Sequence, residues 1–268
     1  TTDTLTEGVH FSSSTPAKDI AHKSLAVNLS DIAAMGAKAK YFTLALVLPK
    51  IDHSWLKEFS DSLRQLSMHY KVSLIGGDTT RGPLNITITM FGIVENSKAM
   101  KRSGARPDDG VYVSGTIGDA GFCFWKLSNG LIPSNQELKR LNCPIPRVEL
   151  GLVLKNLASA CIDVSDGLEQ DLSHILKASS VGAIIEVEKI PISEALLVHI
   201  KDTNDWSIPL CGGDDYELCF TVHEDNEEAL KNVSESCNIN ITRIGVVTES
   251  LGLQIEGFDG PRKSYQHF

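Results

Sequence analysis

The sequence lacks a long apolar run, a CxxC motif and an excess of basic residues. Its apolar runs are short, such as residues 44–48, whereas a helix that crosses a bilayer needs ~20 consecutive apolar residues. No basic segment followed by an apolar one opens the chain, so we expect no secretory signal. Lys and Arg number 25 against 34 Asp and Glu, a formal net charge of −9. Because this charge gives no field that attracts polyanions, we expect neither a nucleic-acid nor a membrane partner.

Several familiar catalytic and metal-binding motifs are also missing. The phosphate-binding patterns GxxxxGK(S/T) and GxGxxG do not occur, and neither does the HRD and DFG pair of protein kinases. The spacing that starts at Asp163 resembles a calcium loop, but Leu168 stands where that loop needs glycine. The six cysteines fit no zinc spacing. We interpret them as reduced core residues of a cytoplasmic protein.

What the chain does contain is an alternation of helix-like and strand-like segments. Its periodicity predicts helices over 19–36, 54–70, 121–129, 135–141, 148–157, 167–178, 193–200 and 225–235. It predicts strands over 41–48, 72–76, 85–95, 111–114, 160–164, 182–188, 216–222 and 241–248. The polar, turn-rich segment 101–110 separates two mixed halves. We therefore predict an α/β (mixed α+β) fold with two domains, 1–100 and 101–268.

Several aspartates stand among small or apolar residues, where acidic side chains are uncommon. They are Asp3, Asp31, Asp78, Asp163, Asp166, Asp214 and Asp215. Taken singly, Asp78 and Asp166 could be turn or N-cap residues, and Asp31 could face water. Taken together, buried carboxylates must be paired or bind a cation, because an isolated buried charge is very costly. Oxygen ligands without a His or Cys cluster favour magnesium over calcium or manganese.

Two glycine pairs precede aspartates, in the segments 76–80 (GGDTT) and 212–215 (GGDD). Glycine allows a phosphate to approach the backbone closely, and the neighbouring acid can hold a metal ion that meets the phosphate. We interpret both segments as glycine-rich turns. No pair of nucleophile and base stands out in the sequence, and an isolated histidine is more often structural than catalytic. His10 is a candidate because it follows Asp3 closely, within TTDTLTEGVHF.

These motifs resemble those of one family, the thiamine-monophosphate kinases. The resemblance rests on TTDTLTEGVHF, AVNLSDIAAMGA, LIGGDTTRG, RSGARPDD, IDVSDGLEQDL, GGDDYELCF and the ending YQHF, which occur in this order over essentially the whole chain. The family belongs to the superfamily of aminoimidazole ribonucleotide synthetase and selenophosphate synthetase. The resemblance implies a cytoplasmic homodimer whose N-terminal sheets close into a barrel, with a sandwich-like C-terminal α/β domain. It also implies transfer of the ATP γ-phosphoryl group to thiamine monophosphate, with several Mg²⁺ ions.

The resemblance further assigns roles to individual residues. It implies magnesium ligands at Thr1, Thr2, Asp3, Asp31, Asp78, Asp163 and Asp166. It implies nucleotide contacts from Gly77, Asp78, Arg102 and Ser165. It implies contacts with the thiamine moiety from His10, Asp214 and Tyr265. No further catalytic residue is expected, because a phosphate acceptor with a second pKa of about 6 is already ionised at neutral pH.

The chain departs from the family pattern at three places. Family members carry an N-terminal segment with an acidic GDD motif, which we expect the chain to lack. Thr1 stands where serine is common, and Asp214 where glutamate is common. Two alternative functions stay open: another ATP-dependent synthetase of the superfamily, and a magnesium–nucleotide binding module without catalysis.

Two spatial expectations follow from this assignment. The segments that carry Asp3, Asp31 and Asp78 should converge in the folded chain. The C-terminal segment should fold over the pocket near Asp214, so that the ring of Tyr265 stacks on the cationic vitamin. The alternatives are a frayed tail and, for Arg102, an exposed linker residue.

Overall fold

The computed structural model describes residues 1–96 and 98–262. The first part of the chain builds a four-stranded sheet with strand order β1-β4-β2-β3. Its strands are β1 (Thr2–Thr6), β2 (Lys38–Leu48), β3 (Ser73–Arg81) and β4 (Asn85–Ile93). Strand β4 is antiparallel to both β1 and β2, whereas β2 and β3 are parallel. Strands β1 and β3 are therefore the two edges, and β4 and β2 lie between them.

Two long helices cover one face of this sheet. They are α1 (Ala17–Ala34) and α2 (His53–Tyr70). On β4 the alternate side chains Ile86, Ile88 and Met90 are buried against them, as the period of a strand with one buried face requires. On the opposite face, the β4 side chains are half-buried or exposed, and strand β3 is exposed throughout. The helices thus hold the sheet from one side only.

The rest of the chain builds a six-stranded sheet of order β10-β7-β9-β5-β8-β6. Its strands are β5 (Gly110–Ser114), β6 (Ala158–Asp163), β7 (Gly182–Glu186), β8 (Leu218–Val222), β9 (Ile241–Thr248) and β10 (Gly252–Glu256). The accompanying helices are α3 (Asp119–Ser128), α4 (Asn135–Asn142), α5 (Val148–Leu154), α6 (Leu168–Ser179), α7 (Glu194–Thr203), α8 (Ser207–Cys211) and α9 (Glu227–Cys237). The fold is a mixed α/β structure with two sheets.

Helix α1 connects the two halves. It is buried on nearly all sides, because it packs on the first sheet and its last turn packs on helix α5. The contact is close: a Cβ added at Gly151 of α5 would lie 2.1 Å from the carbonyl oxygen of Ala33. The C-terminal end of α1, which carries Asp31, therefore lies at the junction between the halves.

Helix α2 begins one residue before its predicted start. The Asp52 side chain caps it by accepting hydrogen bonds from the backbone N–H groups of Ser54 and Trp55. The predicted turn at 76–80 is wrong, because this segment lies within strand β3. Gly77 is required there because a Cβ would lie 1.8 Å from the carbonyl oxygen of Leu44 on the neighbouring strand. The glycine pair thus serves close strand pairing rather than a reversal of the chain.

The sequence analysis also missed three elements, β1, α8 and β10, each of which is five residues long. The predicted domain division at residue 100 falls in the connection between β4 and β5. Over residues 1–96 and 98–262, every helix is too short or too polar to cross a bilayer.

Candidate functional site

Two loops of the C-terminal half are joined by backbone hydrogen bonds. One follows strand β6 (residues 164–167) and the other follows helix α8 (residues 212–217). The N–H of Asp214 donates to the carbonyl of Ser165 and the N–H of Tyr216 to that of Val164, each at 2.8 Å. A Cβ at Gly213 would lie 2.2 Å from the Ser165 oxygen, so only glycine allows this approach. The DVSDG and GGDDYEL motifs therefore form one rigid unit.

Asp171, in the first turn of helix α6, fixes the first of these loops. Its carboxylate accepts hydrogen bonds from the N–H groups of Ser165 at 2.9 Å and Asp166 at 3.0 Å. Burial raises the pKa of Asp171 to about 7. Asp166 itself accepts a hydrogen bond from the side chain of Gln170 at 3.1 Å. The sequence analysis missed Asp171, although its position at the start of a helix after an acidic loop was a usable signal.

Three predicted magnesium ligands come together where the halves meet. Asp3 lies on β1, Asp31 in the last turn of α1 and Asp163 at the end of β6. Burial, and then the Asp31 carboxylate, raises the pKa of Asp3. The same two causes raise the pKa of Asp163, which accepts a hydrogen bond from the Ser30 hydroxyl at 2.6 Å. We call Asp3, Asp31 and Asp163 the acidic trio.

The acidic trio is poorly compensated by its surroundings. Asp31 lies near a helix C-terminus, where the helix dipole disfavours a carboxylate. The Thr1 hydroxyl donates to Asp31, and the hydroxyl groups of Thr2 and Thr89 are 2.9 Å apart on neighbouring strands. Partly buried carboxylates repel one another, and a bound cation would stabilise them.

These donors fit magnesium in their chemistry, since hard cations prefer carboxylate and hydroxyl oxygen. In the described residues, however, no group of three or more Asp, Glu, His or Cys side chains is arranged to hold an ion by itself. Any ion at the acidic trio would therefore need further oxygen ligands, such as phosphate or water. Magnesium commonly keeps such ligands in nucleotide sites.

A second cluster surrounds Asp214. Its Oδ1 accepts a hydrogen bond from the Tyr216 hydroxyl at 3.0 Å, and its Oδ2 lies 3.0 Å from the ammonium group of Lys23. Burial and the Asp214 carboxylate raise the pKa of Tyr216. The Lys23 ammonium also donates to the carbonyl of His10 at 3.3 Å. Two residues predicted to contact the thiamine moiety, His10 and Asp214, are thus linked through a lysine that the sequence analysis missed.

The remaining acids of GGDDYEL are buried supports. Glu217 is fully buried and accepts hydrogen bonds from Arg147 Nε and from the Ser114 hydroxyl, each at 2.6 Å. Asp215 accepts a hydrogen bond from the N–H of Gly118 at 2.6 Å, just before helix α3. Burial raises the pKa of Asp215 to about 7. These contacts hold the base of the Asp214 loop and the start of α3 together.

The acidic trio and Asp214 face one cleft of about 2330 Å³. This exceeds the roughly 300–1,000 Å³ of an ordinary small-molecule pocket, so it can take two substrates side by side. Phe124, Trp125 and Leu131 supply part of an apolar wall. The predicted site residues that line the cleft are Thr2, Asp3, His10, Asp31, Asp163, Ser165, Asp166 and Asp214.

Other predicted site residues lie elsewhere. Gly77 and Asp78 are on strand β3, the sheet edge opposite β1, so within one chain the structure does not bring Asp78 to the acidic trio. Arg102 is exposed and lies close enough to Asp171 to lower the pKa of that carboxyl, against the larger effect of burial. Thr1 contacts Asp31 from outside the cleft lining. Tyr265 lies outside the described residues.

Comparison with known proteins places this fold and site in a class. The family model for the N-terminal domain of AIR synthase related proteins matches residues 1–94, and the model for the C-terminal domain matches residues 106–257. A curated thiamine-monophosphate kinase of Salmonella typhimurium is 44% identical over 281 aligned positions, covering 100% of this chain and 85% of the relative.

Solved structures agree with this class. The crystal structure of thiamine-monophosphate kinase from Stenotrophomonas maltophilia has a TM-score of 0.93 and 42% identity, covering 96% of this chain and 84% of the other. The structure of AaThiL complexed with AMPPCP and TMP has a TM-score of 0.89 and 29% identity, covering 100% and 86%. The fold is that of the AIR synthase related proteins. Within that class, the chain belongs to the thiamine-monophosphate kinase family.

Proposed function

We propose that this protein transfers the γ-phosphoryl group of ATP to thiamine monophosphate, giving thiamine diphosphate and ADP. The observation that carries the proposal is one cleft that joins the acidic trio to the Asp214 cluster. Relatives named thiamine-monophosphate kinase, and a neighbour complexed with AMPPCP and TMP, support the choice of substrates. The two alternative functions, another ATP-dependent synthetase and a magnesium–nucleotide binding module, each predict a different result in the acceptor assay.

The reaction needs no general base from the protein. The acceptor phosphate has a second pKa of about 6, so it is a nucleophile at neutral pH. The main barrier is repulsion between two polyanions, which positioning and electrostatic stabilisation can lower. Bound magnesium would supply positive charge between the two phosphates. The residues proposed to hold it are Thr1, Thr2, Asp3, Asp31, Asp78, Asp163 and Asp166.

The two substrates occupy different parts of the cleft in this proposal. The loop at Ser165 binds the nucleotide, together with Gly77, Asp78 and Arg102, which lie outside the cleft lining of a single chain. His10 and Asp214, together with Tyr265, bind the thiamine moiety. The Asp214 carboxylate suits the cationic thiazolium ring, and its Tyr216 and Lys23 partners fix its orientation. The acceptor phosphate would then point from Asp214 towards the acidic trio.

We also propose a homodimer formed through the exposed face of the first sheet. That face carries exposed apolar side chains, among them Tyr41, Phe91 and Ile93, and the edge strand β3 is exposed throughout. Contiguous exposed apolar side chains mark interaction surfaces. Closing two such sheets into a barrel with β3 of one subunit beside β1 of the other would bring Asp78 to the acidic trio. A cytoplasmic location remains a prediction from the sequence.

An acceptor assay tests the function. The purified chain, with ATP and magnesium, is offered thiamine monophosphate, thiamine, an amide substrate of the synthetase type or selenide, and ADP is measured with each. The proposal predicts ADP formation with thiamine monophosphate and formation of thiamine diphosphate. Preference for the amide or selenide would favour a synthetase, and nucleotide binding without turnover would favour a binding module.

A further inference from the structure

Lys23 is an unusual residue for its place in the fold. It lies on helix α1 among apolar neighbours, and only 2% of its side chain is exposed. A buried ammonium group is costly unless it is paired and hydrogen-bonded. It pairs with the Asp214 carboxylate at 3.0 Å and donates a hydrogen bond to the carbonyl of His10 at 3.3 Å. Both belong to other segments, so Lys23 joins three parts of the chain.

The geometry of Asp214 shows what this contact achieves. Asp214 has φ +68°, a left-handed backbone conformation that residues other than glycine adopt only at a cost in conformational energy. Its N–H is held by Ser165, and its two carboxylate oxygens are held by Tyr216 and Lys23. About a third of the side chain (35%) remains exposed, and Asp214 lines the cleft. The contacts with Tyr216 and Lys23 therefore fix the carboxylate, while its exposed part remains accessible from the cleft.

Lys23 also fixes the turn at His10. The N–H of Thr6 donates to His10 Nδ1 at 3.0 Å, which orients the ring, while the carbonyl of His10 accepts from Lys23. A single ammonium group thus sets the separation between the backbone at His10 and the side chain of Asp214. These two positions flank the same part of the cleft.

We propose that Lys23 is a positioning residue for the thiamine end of the cleft, which acts through Asp214 and the turn at His10. The inference rests on the proposed function. Lys23 itself does not touch the substrate in this account, because its ammonium group is buried behind Asp214. A purely structural ion pair would instead tie α1 to the 212–217 loop without affecting one substrate more than the other.

The test replaces Lys23 with methionine, which keeps the length and removes the charge. We expect Lys23→Met to raise KM for thiamine monophosphate about 10-fold or more, while kcat and KM for ATP change less than about 2-fold. In an Asp214→Asn background, adding Lys23→Met should raise this KM less than about 2-fold further, because the two residues act as one unit. Lys23→Gln, which keeps an N–H donor, should have a smaller effect and carries the test if Lys23→Met does not fold.

A matched control is the exposed pair formed by Lys57 and Asp61 on helix α2. Lys57→Met should leave both KM values unchanged. Equal changes in kcat and in both KM values would overturn the positioning role, as would additive effects of the Lys23 and Asp214 substitutions. If the wild-type chain phosphorylates thiamine monophosphate and Lys23→Met keeps its normal KM, only this inference fails. If the wild-type chain does not, the proposed function fails and the inference with it.

Discussion

At the scale of single residues, the carboxylate of Asp31 acts on two neighbouring carboxylates. It raises the pKa of both Asp3 and Asp163, second only to burial in each case. Its own place in the last turn of α1 is unfavourable for a negative charge. A residue that destabilises the fold in this way is typical of a functional site, where stability is sacrificed to hold a ligand.

Replacing Asp31 by asparagine therefore has two expected effects. Phosphoryl transfer should fall at least ~100-fold at saturating magnesium, since a charge that balances the metal is lost. In the absence of magnesium, Tm should rise rather than fall, because repulsion within the acidic trio is relieved. Asp61→Asn on the exposed face of α2 is the control and should change neither. Near-normal turnover of Asp31→Asn would contradict the assignment of the trio.

Arg102 offers a second prediction for a single residue. Its guanidinium group is exposed and near Asp171, which fixes the loop at Ser165. A charge-assisted contact with a phosphate contributes ~1.5–3 kcal/mol, so Arg102→Ala should raise KM for ATP by ~10-fold to ~100-fold and spare KM for thiamine monophosphate. Steady-state kinetics with each substrate varied gives the answer. Arg106→Ala in the same segment is the control, and an equal loss for both substrates would refute a nucleotide role.

At the scale of elements, the backbone hydrogen bonds between the loops 164–167 and 212–217 set the geometry of the site. Gly213→Ala would push a methyl group against the Ser165 carbonyl, which lies 2.2 Å from the added Cβ. Such overpacking costs ~1–3 kcal/mol. We expect a lower midpoint in urea and a higher KM for thiamine monophosphate, since Asp214 is the next residue.

Gly252→Ala provides the comparison for this prediction. Gly252 begins strand β10, and a Cβ there would meet nothing within 4 Å, although its φ of +103° carries a backbone cost. It should leave KM for thiamine monophosphate unchanged whatever it does to stability. If Gly213→Ala binds the vitamin as tightly as the wild type does, the two loops are not coupled as described.

The helices and strands also show how much of the fold could be predicted from the sequence. Long periodic segments such as helices α1 and α2 were predicted within a few residues, because their apolar spacing repeats over several turns. The segment 76–80 was misread, since a glycine pair indicates a turn locally, whereas here it permits close pairing of β3 with β2. That requirement comes from a neighbouring strand and is invisible in the local sequence.

The candidate site was predictable to a similar extent. Family motifs pointed to the carboxylates, and the structure brings Asp3, Asp31 and Asp163 together. The motifs could not reveal Lys23 or Arg147, because the roles of these residues depend on contacts between segments distant in the chain. A lysine inside an apolar helix was the one signal available for Lys23, because a buried cation requires a partner.

At the scale of the whole molecule, strand order separates Asp78 from the acidic trio. Strands β4 and β2 lie between β1 and β3, and neighbouring strands are ~4.8 Å apart. If β3 of one subunit completes the site of the other, a mixed dimer of Asp78→Asn and Asp31→Asn subunits contains one intact site. Mixing two inactive variants should then restore activity, towards a quarter of the wild-type value for random pairing.

The mixing experiment has a clear contrary result. If Asp78 serves the trio of its own chain, each subunit of the mixed dimer carries one defect and no activity returns. Mixing either variant with itself is the control, and co-expression ensures that subunits exchange. A protein that remains monomeric at assay concentration would refute the dimer proposed from the exposed sheet.

The central claim is that the acidic cleft transfers the γ-phosphoryl group of ATP directly to thiamine monophosphate. A single-turnover experiment with ATP labelled in its γ-phosphate, excess enzyme and magnesium tests it most directly. The account predicts that label enters thiamine diphosphate at the rate at which ADP forms, with none on the protein and none transferred by Asp31→Asn. Label recovered on the protein, or as free phosphate at a rate independent of thiamine monophosphate, would contradict the account.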